Sequence, residues 1–228
     1  MAKVIQMNRR ERQIQRRETP PSSRDRIREA AKALFAKTGY ESATTADICR
    51  VAGTSQSQLI KHFGNKQGLI EAVFQHAWAQ ITPAVALAIE KVPSPRDKLK
   101  LLADMVLSFL DADKEMRTLF LLEGRRIRGD GRMVVLVPGF WEFVELLDGI
   151  VQEAAASGQL RPDINVQAFR STLMGAIEGM LRDQMLARTC KFPATYSAED
   201  IRRMFDWLLS SVTPQRPPNS ATQDSITS

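Results

Sequence analysis

Ser55, Ser57, Gln58, Ile60, Lys61 and His62 lie within eight consecutive residues, a set of short polar, cationic and branched apolar side chains. Hydroxyls and amides of this size exchange hydrogen bonds with base-pair edges, an ammonium holds a phosphate, and a branched aliphatic group can meet a thymine methyl. The chemistry on offer is recognition of a duplex groove. With 100° per residue and Leu59 taken as inward, Ser55 and Phe63 fall on the inner side and His62 near its edge. Ser57 and Lys61 point outward, with Gln58 and Ile60 on the flanks. A helix of about nine residues is about 13 Å long, which suits a major groove about 12 Å wide. Catalytic signals are missing: the chain has no G-x-S-x-G elbow, no G-x-x-x-x-G-K-[ST] loop and no H-E-x-x-H pair, and His62 and His76 stand apart from any evident nucleophile or metal partner. No enzyme activity, metal or cofactor is expected.

Such a helix needs others to aim it. The apolar period is close to 3.6 almost throughout, so the fold class expected is all-α. Ser22 with Asp25 opens a helix that places Ile27, Ala30, Ala31, Leu34 and Phe35 on one face and stops at Gly39. Thr44 with Asp47 opens a short second helix with Ile48, Val51 and Ala52 inward, ended by Gly53, and Ser55 with Gln58 opens the third at once. Asn65 caps a longer fourth helix running to about Pro83. Further helices are expected around 96–112, 114–126, 138–157, 166–187 and 198–212. Residues 133–137 read as a short strand or, without a matching run to pair with, as a loop or helix start.

The 228 residues, 43% hydrophobic and 25% charged, can build a sizeable core, and the net charge of +6 is unevenly spread. Residues 1–66 carry 14 basic and 6 acidic side chains, net +8, whereas residues 67–228 carry 18 and 20, net −2. Two cysteines, Cys49 and Cys190, are too few for a disulfide framework or zinc site, the longest apolar run (133–141) is about half a bilayer span, and the N-terminus lacks an apolar leader. A soluble, cytoplasmic protein is expected. Its organisation is read as a basic arm over 1–21 (Lys3, Arg9, Arg10, Arg12, Arg16, Arg17), a helix-turn-helix over 22–68, a larger helical region over 69–212, and a polar tail over 213–228. The arm either solubilises the chain or adds a minor-groove or phosphate anchor.

The pattern Arg26-Ile27, Ala30-Ala31, Leu34-Phe35, Gly39-Tyr40, Thr44-Thr45, Asp47-Ile48, Ala52-Gly53, Ser55, Leu59, His62-Phe63, Asn65-Lys66 and Leu69 resembles the N-terminal signature of the TetR family of bacterial transcriptional regulators. The resemblance covers about fifty residues. It implies a homodimer that binds a pseudo-palindromic operator, as a repressor more readily than an activator, and releases it when a small molecule occupies the C-terminal region. By position it has Thr44 and Thr45 contacting phosphates, Ser55 to Lys61 (including Gln56) entering the groove, and His62 and Lys66 holding the backbone. One position departs: the family usually has a tyrosine whose hydroxyl reaches a phosphate where this chain has Ile60.

Gly175 and Gly179 lie four apart on a predicted helix, where each costs about 1 kcal/mol relative to alanine. Close approach of another helix would offset that. With the amphipathic last helix (Ile201, Met204, Phe205, Leu208, Leu209, Val212) they suggest a four-helix dimer bundle. Met105, Phe109, Met116, Phe120, Phe140, Trp141, Phe143 and Met180 suit an apolar effector cavity and equally an ordinary core. Arg125, Arg126, Arg128 and Arg132, near Gly129 and Gly131, suit an acidic effector or a solvated loop. Two other readings compete with an operator-specific regulator: an architectural or nucleoid-associated DNA protein of the same fold, and a helical enzyme.

Overall fold

The computed structural model describes residues 21–126 and 136–214, and among them are nine helices and no strand. The helices are α1 (Ser23–Thr38), α2 (Thr45–Ala52), α3 (Gln56–Phe63), α4 (Lys66–Ile89), α5 (Pro95–Ala112), α6 (Lys114–Leu122), α7 (Pro138–Ala156), α8 (Val166–Cys190) and α9 (Ala198–Ser211). The basic arm, Arg128, Arg132, Gly129, Gly131, positions 133–135 and the tail from 215 on lie outside the described residues; Leu136 and Val137 are in neither helix nor strand.

The chain divides into two compact units. One comprises the chain up to Ala79 with Asp113–Phe140, the other Gln80–Ala112 with the chain from Trp141 on. In the first unit α1 packs on α2, α3 and α6. Its centre holds Ile27, Phe35, Ile48, Leu59, Phe74 and Leu119, each essentially without solvent exposure. Edge-on rings extend this core: Phe120 stands against Phe74 and Trp78 with centroids 5.2 and 5.0 Å away. In the second unit α9 packs on α5 and α8 over Leu107, Leu173, Ile201, Phe205 and Leu209. Arg170 to Asp148 at 2.6 Å and Arg202 to Asp104 at 2.8 Å tie its helices at the rim.

Three local expectations are corrected. The fourth helix does not stop near Pro83 but continues to Ile89. Pro83 removes one donor, the N–H that would reach the Ala79 carbonyl, and Ala79 is exposed, so water can take that bond. The helix expected over 114–126 ends at Leu122, capped by the Glu123 N–H on the Leu119 carbonyl. Val51 points to solvent, not inward, because Ile48, Cys49 and Ala52 already fill the inner face of α2.

Asp113 fastens α6 to α1. Its carboxylate accepts the Met116 N–H at 2.9 Å and the Lys32 ammonium at 2.8 Å. Burial pushes the Asp113 carboxyl up, but those hydrogen bonds outweigh it and hold the group below the ordinary carboxylate range. Burial likewise works against the Lys32 charge, and Asp113 and Glu29 outweigh it, raising the ammonium above its ordinary value. A depressed carboxylate gives stability that is present above its unfolded pKa, about 4, and lost as pH falls through the folded value. A raised ammonium gives stability that is present below about 10.5 and lost as pH rises through the folded value. The pair is therefore at full strength around neutrality. Asp113→Ala, which also removes an N-cap worth about 1 kcal/mol, is expected to lower Tm by about 2–4 °C at pH 7. In melting curves taken from pH 7 down to 3, the gap from the unsubstituted chain should narrow below about pH 4; a constant gap would show that the carboxylate's charge contributes nothing.

Candidate nucleic-acid interface

Capping fixes the two short helices. Thr44 caps α2 by accepting the Asp47 N–H at 3.1 Å, and its hydroxyl donates to the Asp47 carboxylate at 2.6 Å. That bond, with a second from Arg50, holds the Asp47 carboxyl below the usual range. The chain then reverses at Gly53, whose left-handed backbone (φ 60°, ψ 46°) suits glycine, and the Thr54 N–H donates to the Cys49 carbonyl at 3.0 Å. Ser55 caps α3 by accepting the Gln58 N–H and exchanges a 2.8 Å hydrogen bond with the Ser57 hydroxyl.

On α3, Leu59 is buried, Gln58, His62 and Phe63 are half-buried, and Gln56, Ser57, Ile60 and Lys61 are exposed. Positions i, i+1, i+4 and i+5 form one stripe along the helix. Ile60, expected on the flank, lies within this stripe, and Gln58 turns partly away. Thr44 is exposed at the start of α2 and Thr45 half-buried beside it.

The other expected contacts also have partners within the chain. His62 Nε2 lies 2.9 Å from the Ser23 hydroxyl, joining the last turn of α3 to the first turn of α1. The Lys66 ammonium donates to the Glu41 carbonyl at 3.1 Å and stands 4.4 Å from the centre of the Tyr40 ring, a cation–π distance that grips the loop before α2. An ammonium has three donors, so this grip leaves others for a phosphate.

Sequence reasoning gave no role to the residues that hold the head together. Arg26 donates from Nε to the Ala52 carbonyl at 3.2 Å and from Nη1 to the Pro21 carbonyl at 2.9 Å, bracing the end of α2 and the entry to α1. The Tyr40 hydroxyl donates to Gln67 at 3.3 Å. Gly68, in the first turn of α4, donates its N–H to the Asn65 side chain at 2.9 Å, and a methyl there would lie 2.2 Å from the Phe63 carbonyl oxygen. A glycine three residues after a capping asparagine was a legible signal; the partners of Arg26 and Tyr40, 26 and 27 residues away, left no local trace.

The residues expected to line an effector cavity are divided between the units. Phe120 and Phe140 belong to the first, both against Trp78. Met105, Phe109 and Met180 are half-buried in the second, where Trp141 is exposed. Arg125 and Arg126 are exposed, and Arg126 donates to the buried Glu123 carboxylate at 3.5 Å. Of the expected dimer residues, Gly175 is exposed, Gly179 and Leu208 are half-buried, and Phe205, only 5% exposed, belongs to the core of its unit. Met204 (51% exposed) and Trp207 (65%) carry the apolar surface of α9 instead.

Two capped short helices, a left-handed glycine turn and a polar, cationic stripe on the second helix define a helix-turn-helix regulator that binds DNA. Residues 27–73 match the bacterial regulatory proteins of the tetR family and residues 74–206 match the C-terminal region of YsiA-like proteins; the chain belongs to the TetR family. It is 24% identical over 154 residues to the fatty acid metabolism regulator protein of Bacillus subtilis, covering 67% of this chain and 78% of that one. Over 196 residues it is 25% identical to the HTH-type transcriptional regulator UidR of Escherichia coli, covering 83% and 94%. The fold is also that of the transcriptional regulator FadR from Bacillus subtilis in complex with stearoyl-CoA, with a TM-score of 0.71 at 21% identity over 82% of this chain and 96% of that one.

Proposed function

We propose that the chain is a repressor that works as a homodimer. Residues 22–68 of each copy read one half of a two-fold-related operator, and residues 69–212 pair the copies and bind a small molecule that causes release. The observation that carries this reading is the exposed stripe Gln56, Ser57, Ile60 and Lys61 on a helix capped by Ser55 and entered through the Gly53 turn. Thr44, Thr45, Ser55 and Gln58 support it from the two helix starts, with His62 and Lys66 as backbone contacts braced by the chain's own loops. Both units share α4, so a ligand that shifts its second half alters what the first half presents to DNA. A relative named for fatty acid metabolism and a structural neighbour holding stearoyl-CoA make a long-chain acyl-CoA the first effector to assay. Among the described residues no helix is long and apolar enough to cross a membrane, in keeping with a cytoplasmic site of action.

The test is selection of duplexes from a random pool by the full chain, followed by binding of the selected operator and of random duplex across a salt series. The operator is expected to be preferred by about a thousandfold or more, and stearoyl-CoA to release it. Lys61→Ala should lower the slope of log affinity against log salt by about one and leave Tm unchanged. Lys66→Ala should lower both, because it also frees the Glu41 loop. Equal binding to all duplexes would replace the operator reading with an architectural one.

A further inference from the structure

We propose that Ile60 reads the 5-methyl group of a thymine in each half of the operator, an inference that rests on the operator reading above. Ile60 is 59% exposed and stands on α3 with Gln56 and Ser57 one turn before it and Lys61 beside it. Nothing about α3 calls for a branched aliphatic there: Leu59 alone supplies the buried anchor, and β-branched residues are mediocre helix formers. The family resemblance puts a tyrosine hydroxyl on a phosphate from this position; isoleucine cannot make that bond, so its contribution is apolar contact. In a major groove the apolar group on offer is the C5-methyl of thymine, flanked by acceptors and donors that Gln56 and Ser57 can engage. The position thereby shifts from holding the backbone to discriminating thymine from cytosine.

The experiment starts from the operator selected by the full chain and replaces each thymine in turn by deoxyuridine, which removes the methyl and leaves the pairing edge intact. The unsubstituted chain is expected to lose about fourfold in affinity at one thymine per half-site, and about an order of magnitude when both are replaced. Ile60→Ala should bind the thymine operator about as weakly as the unsubstituted chain binds the deoxyuridine one, and should be indifferent to the replacement. Ile60→Val should keep most of the sensitivity. The substituted residue is on the surface, so melting curves should match and exclude misfolding. Selective operator binding with no deoxyuridine position that separates the unsubstituted chain from Ile60→Ala would overturn the assignment and leave the operator reading intact. Loss of selectivity altogether would sink both.

Discussion

Gly68→Ala is expected to destabilise the helix-turn-helix unit by about 1–3 kcal/mol and to abolish operator selectivity, although alanine is the better helix former by about 1 kcal/mol. The sign is decided by one distance. A methyl on residue 68 would lie 2.2 Å from the Phe63 carbonyl oxygen, far inside contact range, and that oxygen belongs to backbone, which cannot rotate aside as a side chain would. The same carbonyl accepts the Asn65 N–H at 2.8 Å, and the reversal between them depends on Gly64 at φ 73°. Relief of the overlap must come from moving the end of α3 away from the start of α4, which displaces Ile60, Lys61 and His62 together. Gly149→Ala provides the control. It too is a helical glycine, exposed where Gly68 is half-buried, and a methyl there meets nothing within 4 Å, so this variant should gain up to about 1 kcal/mol. Thermal melts and the selected duplex read out both variants. A Gly68→Ala chain that melts with the unsubstituted one and binds as well would show that the close approach is not needed.

What the sequence discloses here depends on how local each device is. Thr44 with Asp47, Ser55 with Gln58 and Gly53 between them are legible because cap and turn chemistry lies within a few residues. The all-helical fold follows from apolar periodicity by the same locality. Surfaces were harder, as two faces show. Val51 matches the apolar period yet faces solvent, and Phe205 matches an outward stripe yet is buried while Met204 and Trp207 emerge. Periodicity gives the width of an apolar stripe, and only the neighbouring helices decide which edge of it is covered. An effector cavity is not legible in the sequence, for a chemical reason. Methionine and phenylalanine line cavities and fill cores with equal ease, so Met105, Phe109 and Met180 carry no mark in sequence that separates the two.

The pairing of copies admits the other large effect. Gly175→Leu combined with Gly179→Leu is expected to yield monomers whose operator affinity falls by about two to four orders of magnitude, because two linked half-site contacts become one. Among the described residues, nothing in the same chain packs closely on either glycine. A methyl at 175 meets nothing within 4 Å, and one at 179 meets only the tip of Arg182 at 4.0 Å. Each nevertheless costs α8 about 1 kcal/mol relative to alanine. A partner helix approaching closely at that face would account for the cost, and the exposed Met204 and Trp207 on α9 would supply apolar surface for the same association. A side chain can begin at either position without a clash at its Cβ, and leucine at both would hold a partner backbone away. The separation of the two reading helices, about 34 Å for successive turns of duplex, then goes unset. Sedimentation together with operator titration tests this: a double variant that remains dimeric at the concentrations where the unsubstituted chain does would move the interface off α8.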